Sequence, residues 1–295
     1  MSTTTISAAT LPRTSARRRR TDQIMRGTLL ALAIVALIPL ILIVYYLLHK
    51  GLSAWTQSGF FTTDPTGSFF GSPGGIRSAI FGSLEIVALA TLISIPIGIG
   101  VALWLTEYGK ESWFANTVRY FVDVMTGVPS IMMGLFVYIV LVTSKVGGVG
   151  YAAWKGSVAL ALLMLPIVIR SAEVVLLLVP GSLREAALAL GAPRWRTTFQ
   201  VVLPTAASGL VTGSLLAVAR GMGETAPLLF TVSTAFALTF SLNQQMNTLP
   251  FLIFTDITNP RAAIQSIAWG AALTLVVIVL ILNLLARLVA SRSRR

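Results

Sequence analysis

The sequence predicts an all-α membrane protein of about six transmembrane helices, with both termini on the cytoplasmic side. Three observations carry that reading. Over 295 residues, 55% are hydrophobic and 11% charged, whereas soluble domains carry about a quarter charged residues. Apolar runs long enough to cross a hydrocarbon core of ~30 Å recur along the chain, and runs this continuous span as helices. The basic residues, which give a net charge of +12, collect in alternate connecting segments.

Taken in order, residues 1–26 form a basic tail rich in Ser, Thr and Ala, expected to be disordered in the cytoplasm. Residues 27–76 hold the first span, near 27–48, and an external loop with Phe60, Phe61, Phe69 and Phe70 as interfacial aromatics. A basic flank before an apolar run also marks signal peptides. The run from Thr28 to Leu48 is too long for a signal core, so the helix is expected to stay uncleaved. Residues 77–287 make the main membrane core, with spans near 77–105, 126–143, 156–180, 206–232 and 263–287 and a cytoplasmic loop at 181–205. Pro129, within Gly127-Val-Pro-Ser130, should break the helix ahead of the third span. Gly209 and Gly213 offer a small face for close helix packing, or are a chance pair in a glycine-rich chain. Residues 233–262 read as an outer loop with a short interfacial helix, and 288–295 as a basic cytoplasmic tail.

The charge distribution argues for lipid headgroups rather than nucleic acid as the partner of the basic residues. Arg13, Arg17 to Arg20 and Arg26 precede the first span, and Arg287, Arg292, Arg294 and Arg295 close the chain. Lys110 and Arg119 fall in the second connection, Arg184, Arg194 and Arg196 in the fourth. An even number of spans puts all of these on one side, and Lys50, Arg77, Lys145, Lys155 and Arg261 on the other. This is the positive-inside pattern. The chain has no cysteine and a single histidine, so neither a disulfide nor a thiolate site is available, and His49 lacks companions for a metal site.

The most polar stretch inside the apolar chain is 182–204. Ser182 and Glu185 have the spacing of a capping box, Gly191 can take the left-handed conformation that ends a helix, and Pro193 suits the first turn of the next. Leu183, Ala187 and Leu190 recur on one small apolar face. That describes a rigid knob suited to another protein's groove.

Ionisable residues within spans cost roughly 2.5–3.5 kcal/mol each even on lenient insertion scales. Arg170 and Glu173, three apart, and Arg220 and Glu224, four apart, therefore need a reason. Each pair can simply neutralise itself. The second also has Gly221, Gly223 and Pro227 beside it, which loosen the helix and free backbone amides. Arg220 lies 16 residues past Pro204, about 24 Å into the span. A guanidinium fork matches a tetrahedral oxyanion bidentately, and a neighbouring carboxylate that competes for it would allow release. Glu85 and Asp123, near span ends, are expected to snorkel or cap.

These residues carry a resemblance. Glu185-Ala186-Ala187, Gly191, Val201, Leu203 and Pro204, at their spacing, resemble the EAA signature of importer permeases driven by ABC-type ATPases, with Val201 where that family has Ile. Arg220-Gly-Met-Gly-Glu-Thr-Ala-Pro-Leu-Leu229 and Gly127-Val-Pro-Ser-Ile-Met-Met-Gly-Leu135 are similar to the PstA-like permeases of phosphate-specific importers. The resemblance implies a MetI-like fold in the inner membrane of a prokaryote. It implies phosphate as cargo and alternating access driven by ATP. The partners it implies are a homologous PstC-like permease, a PstB-like ATPase dimer and a PstS-like extracytoplasmic phosphate-binding protein, with membrane lipids around and no nucleic acid. Glu185, Ala186, Ala187, Gly191, Leu203 and Pro204 would couple to the ATPase; Arg170, Glu173, Arg220 and Glu224 would line the substrate path. The chain has no G-x-x-x-x-G-K-[ST] loop, so it is expected to be a transport subunit without cofactor, ATP being hydrolysed elsewhere. Sulfate, molybdate, phosphonate or a neutral solute as cargo, an ion-coupled transporter or channel, and a membrane-anchored regulator stay open on the residues alone.

Overall fold

The computed structural model of the chain describes residues 16–66, 72–235 and 237–292. Two compact units are present, Met1–His49 and Lys50–Arg295. The first holds most of helix α1 (Ala16–Trp55), which is long and apolar enough to cross a membrane. The expected disordered tail is corrected in part: residues 16–26 are helical, while 1–15 lie outside the described residues. Arginine is a good helix former, and extending an existing helix avoids the cost of nucleation.

In the second unit, α2 (Arg77–Leu103) widens into a π-helical turn, Trp104–Gly109. Helix α3 (Trp113–Gly127) is capped by Ser112 Oγ, which accepts from the Ala115 amide at 3.2 Å. Next come α4 (Ser130–Val137) with a π-helical turn Tyr138–Thr143, then α5 (Ala153–Leu177) and α6 (Gly181–Ala189). Helix α7 (Arg194–Thr197) passes through another π-helical turn, Thr198–Val202, into α8 (Leu203–Met222). Pro204 has no amide to donate, and the helix widens just ahead of it, as helices do where a rung is lost. The chain closes with α9 (Ala226–Thr231), α10 (Leu249–Ile257) and α11 (Ala262–Arg292).

Two expected spans differ from the observed ones. The span at 126–143 is a bent pair: α3 and the helix through Thr143 meet at 104°. Val128 and Pro129 are extended, because proline forces the preceding residue out of the helical region. The 14 residues from Ser130 to Thr143 reach only about 21 Å, short of a full crossing. The span at 206–232 is broken. The helix that starts at Arg194 stops at Met222, and α9 resumes at Ala226, with Gly221, Gly223 and Pro227 as the weak formers around the break.

The broken span nevertheless stays beside α5 along its whole length. A Cβ on Gly209 would strike Val175, one on Gly213 Ser171, and one on Gly221 Met164, each within 2.8 Å. This antiparallel register continues past the break, where Gly156 faces Leu228, Thr231 and Val232. Gly209 and Gly213 are thus a close-packing face and no chance pair. The main core lies where α2, α5, α8 and α9 meet, around Ile86, Leu160, Met164, Ala217 and Leu228.

At the end of this unit opposite α6, Asp64 joins two connections. Its carboxylate accepts from Arg77 Nε and Nη2 at 3.1 and 2.8 Å, and from the amides of Ser78 and Leu238 at 3.1 Å each. The Arg77 guanidinium, helped by both amides and opposed by burial, holds the carboxyl below its usual range. A depressed carboxylate stabilises above its unfolded pKa of about 3.9 and stops doing so as pH falls through the lower folded value. The 237–248 segment should therefore resist pepsin down to about pH 3.9 and open only below it. Asp64→Asn should deprotect the Leu238 amide in hydrogen exchange already at neutral pH.

Candidate functional site

Helix α6 forms the knob expected at 182–204, with different chemistry at its start. Pro180 is the N-cap and no side chain caps the helix, so the Ser182–Glu185 capping box is absent: Ser182 lies inside the first turn, where its hydroxyl cannot reach the N3 amide. The other end is as the sequence suggests. Gly191 has φ +81°, its amide donates to Leu188 O at 2.9 Å, and the Ala192 amide donates to Ala187 O at 3.1 Å. This pair of bonds is a Schellman motif, and it fixes the turn. Pro193 stands as the N-cap of α7, one residue earlier than expected. Glu185, Ala186 and Pro204 are exposed, and Ala187 and Leu203 half-buried. Leu190, at the tip, is 89% exposed.

An arginine of α6, not singled out by the sequence pattern, holds this knob. Arg184 Nε and Nη2 grip the Glu107 carboxylate at 3.0 and 2.8 Å. The same guanidinium donates from Nη2 to Leu176 O at 3.0 Å and from Nη1 to Val179 O at 2.6 Å, so it caps the C-terminal end of α5. Glu107 lies on the π-helical turn after α2. A cavity of about 740 Å³ opens beside the pair, lined among others by Thr106, Lys110, Arg119, Glu185 and Arg194. A Glu at a helix end and an Arg in the 181–205 loop were the available signal.

Arg170 and Glu173 are not an isolated pair. Glu173, 7% exposed at its side chain, accepts from Arg119 Nε at 2.6 Å and from Arg170 Nη1 at 2.9 Å. Arg170 also pairs with Asp123, donating from Nε at 2.9 Å, and reaches Arg119 O at 3.4 Å. Arg119 reaches back to Lys110 O at 2.7 Å and Leu105 O at 3.2 Å, at the end of α2. Asp123 therefore binds across helices and does not cap, because α3 lies alongside α5. The spacing Ala115, Arg119, Val122 on one face of α3 was the sign that this arginine turns inward.

Arg220 and Glu224 pair at 3.2 Å across the end of α8, with side chains 56% and 14% exposed. Gly221 faces Met164, beside the midpoint of α5, so Arg220 sits near half depth of the α5–α8 pair. Arg170 lies about 8 Å further toward the α6 end. The two arginines are at different depths. The break that follows Arg220 is braced by α4, where a Cβ on Gly134 would come within 2.6 Å of Pro227 Cα.

Two other buried groups depart from expectation. Glu85 lies in the third turn of α2, with Oε2 buried and without a hydrogen-bond partner among the described residues; it neither snorkels nor caps. Lys155, expected in a loop, is fully buried in the first turn of α5. Its ammonium donates to Leu141 O at 2.8 Å and Val149 O at 2.6 Å, where it meets the negative end of the α4 helix.

Comparison with known proteins agrees with this architecture. The family described as binding-protein-dependent transport system inner membrane component matches residues 94–295. The phosphate transport system permease protein PstA of Yersinia pestis is 39% identical over 277 residues, 94% of this chain and 92% of that one. PstA 1 of Mycobacterium tuberculosis is 39% identical over 284 residues, 95% and 91%. Among solved structures, the inward-facing MetNI methionine ABC transporter aligns with a TM-score of 0.61 at 19% identity, over 75% of this chain and 98% of that one. A bacterial alginate ABC transporter in complex with a pentasaccharide-bound periplasmic protein aligns with a TM-score of 0.63 at 14% identity, over 94% and 96%. Both show a shared fold.

Proposed function

Because this chain belongs to the binding-protein-dependent transport system inner membrane components, and within them to the PstA phosphate permeases, we propose how its residues serve phosphate import. It is a permease subunit of an ABC transport system and a transport component rather than an enzyme. Its partners are a second, PstC-like permease, a PstB-like ATPase dimer and a PstS-like binding protein. The positive-inside pattern supports cytoplasmic termini and a cytoplasmic α6 in the inner membrane.

The observation that carries the substrate path is the helix break at half depth with Arg220 and Glu224 beside it. A guanidinium held by one carboxylate, in a segment whose backbone is open, can trade that carboxylate for a phosphate oxyanion and take it back on release. Arg170 and Glu173 are less suited to such exchange, since Glu173 already holds two arginines; we assign them to fastening α3 onto α5. Glu185, Ala186, Ala187 and Gly191 form the face presented to the ATPase, while Leu203 and Pro204 start the helix that leads to Arg220.

The test is ATP-dependent phosphate uptake in vesicles that hold this chain, the second permease, the ATPase and the binding protein, each omitted in turn. Uptake should need all of them and resist excess sulfate. Uptake that survives without the ATPase would overturn the assignment. Gly191→Pro removes the amide that bonds Leu188 O and forbids the positive φ. It should leave ATP hydrolysis running while phosphate uptake falls at least about tenfold; wild-type coupling in this variant would remove α6 from the interface.

A further inference from the structure

We propose that Arg184 and Glu107 are positioning residues that make α6 move as one body with the inner ends of α2 and α5. On this view the chain of ion pairs beyond them delivers the same displacement to α3. The inference rests on the ATP-driven reading above and adds the route by which force leaves α6.

Helix α6 is short and presents mostly exposed residues. Short connecting loops bound it on both sides, so packing alone gives it little hold on the spans. Among the described residues, Arg184 is its one side chain that hydrogen-bonds outside α6 and its flanking turns. That bond set is exacting. One planar guanidinium meets a carboxylate on the turn after α2 and two carbonyls at the end of α5, with side-chain exposures of 23% for Arg184 and 11% for Glu107. A planar fork satisfied on several edges fixes orientation as well as distance, which a lysine ammonium would not do. Burial strengthens each charge-assisted bond.

From Glu107 the connection does not stop. Leu105, two residues earlier on the same turn, gives its carbonyl to Arg119 of α3, and Arg119 holds Glu173, which holds Arg170, which holds Asp123. Asp123 lies four residues before Gly127, where α3 bends into α4, and α4 packs Gly134 against Pro227 at the break beyond Arg220. A contiguous set of bonds and packed backbone thus runs from the knob to the broken span.

The readout is phosphate imported per ATP hydrolysed, in vesicles of the complete complex, together with recovery of the ATPase on purification. Glu107→Gln keeps size and loses the charge. It should co-purify with the ATPase as the wild type does and still hydrolyse ATP, yet import at least about tenfold less phosphate per ATP. A merely structural pair would lower assembly and both rates together, leaving the ratio unchanged. Because the chain has no cysteine, Glu107→Cys with Arg184→Cys can be bridged by a bifunctional thiol reagent with a reducible linker. Bridging should restore the ratio, and reduction should abolish it again. An unaltered ratio in Glu107→Gln, no recovery on bridging, or loss of the ATPase from either variant overturns the proposal. Wild-type vesicles that import no phosphate with ATP would instead defeat the functional reading itself.

Discussion

Arg220→Gln is expected to lower ATP-driven phosphate uptake by about a hundredfold or more while the complex still assembles and the chain stays folded. A bidentate guanidinium–oxyanion contact comprises two charge-assisted hydrogen bonds of roughly 1.5–3 kcal/mol each, and glutamine offers neither the charge nor the fork. The structural cost falls on Glu224, 14% exposed at its side chain, which loses this partner; the variant should be less stable without the chain unfolding. Arg220 is more than half exposed, its one ion pair among the described residues is with Glu224, and it occupies the last turn of α8. Arg220→Lys should fall between, since it keeps the charge and loses the second donor. Radiolabelled phosphate uptake at saturating ATP, normalised to assembled complex, decides the matter. Unchanged uptake in Arg220→Gln would remove this residue from the path.

Arg119→Met is expected to have the opposite profile, with a large loss of stability. The arginine satisfies the buried Glu173 carboxylate and two carbonyls at the end of α2. Removing one partner of a buried ion pair leaves the other uncompensated and costs about 3–5 kcal/mol; Arg170, which stays, should hold the loss near the lower end. The comparison is Asp123→Asn. Asp123 belongs to the same network but is 61% exposed, so its loss should cost under about 1 kcal/mol. Thermal unfolding of the detergent-solubilised protein should show a clear fall in Tm for Arg119→Met and almost none for Asp123→Asn. Equal shifts would mean that the network is not organised around Glu173.

The spans were legible because apolar runs and charge asymmetry are properties of local sequence. Gly191 was legible for the same reason: a helix end followed by proline demands a left-handed residue there. The failures have a common cause in partners far along the chain. The bend at Pro129 could be placed, yet its angle depends on α3 lying against α5, which the sequence does not display. Arg170 and Glu173 looked self-sufficient at three residues' separation, and Arg119, more than fifty residues away, changes their role. The long apolar run 206–232 hid its break because Gly and Pro are tolerated in membrane helices, and only packing against α5 and α4 shows where the chain stops being helical. Ser182 misled in the other direction. Its spacing suits a cap, but Pro180 already begins the helix.

The helix ends described above share a direction in the chain. Carbonyls at the end of α2 are satisfied by Arg119 of α3, the end of α4 by Lys155 of α5, and the end of α5 by Arg184 of α6. Each donor is encoded after the helix it completes. During synthesis a span therefore enters the bilayer with its last carbonyls open, and the next segment to leave the ribosome brings the cation that closes them. At these three places the chain can be finished in the order in which it is made, the later segment sealing the earlier one.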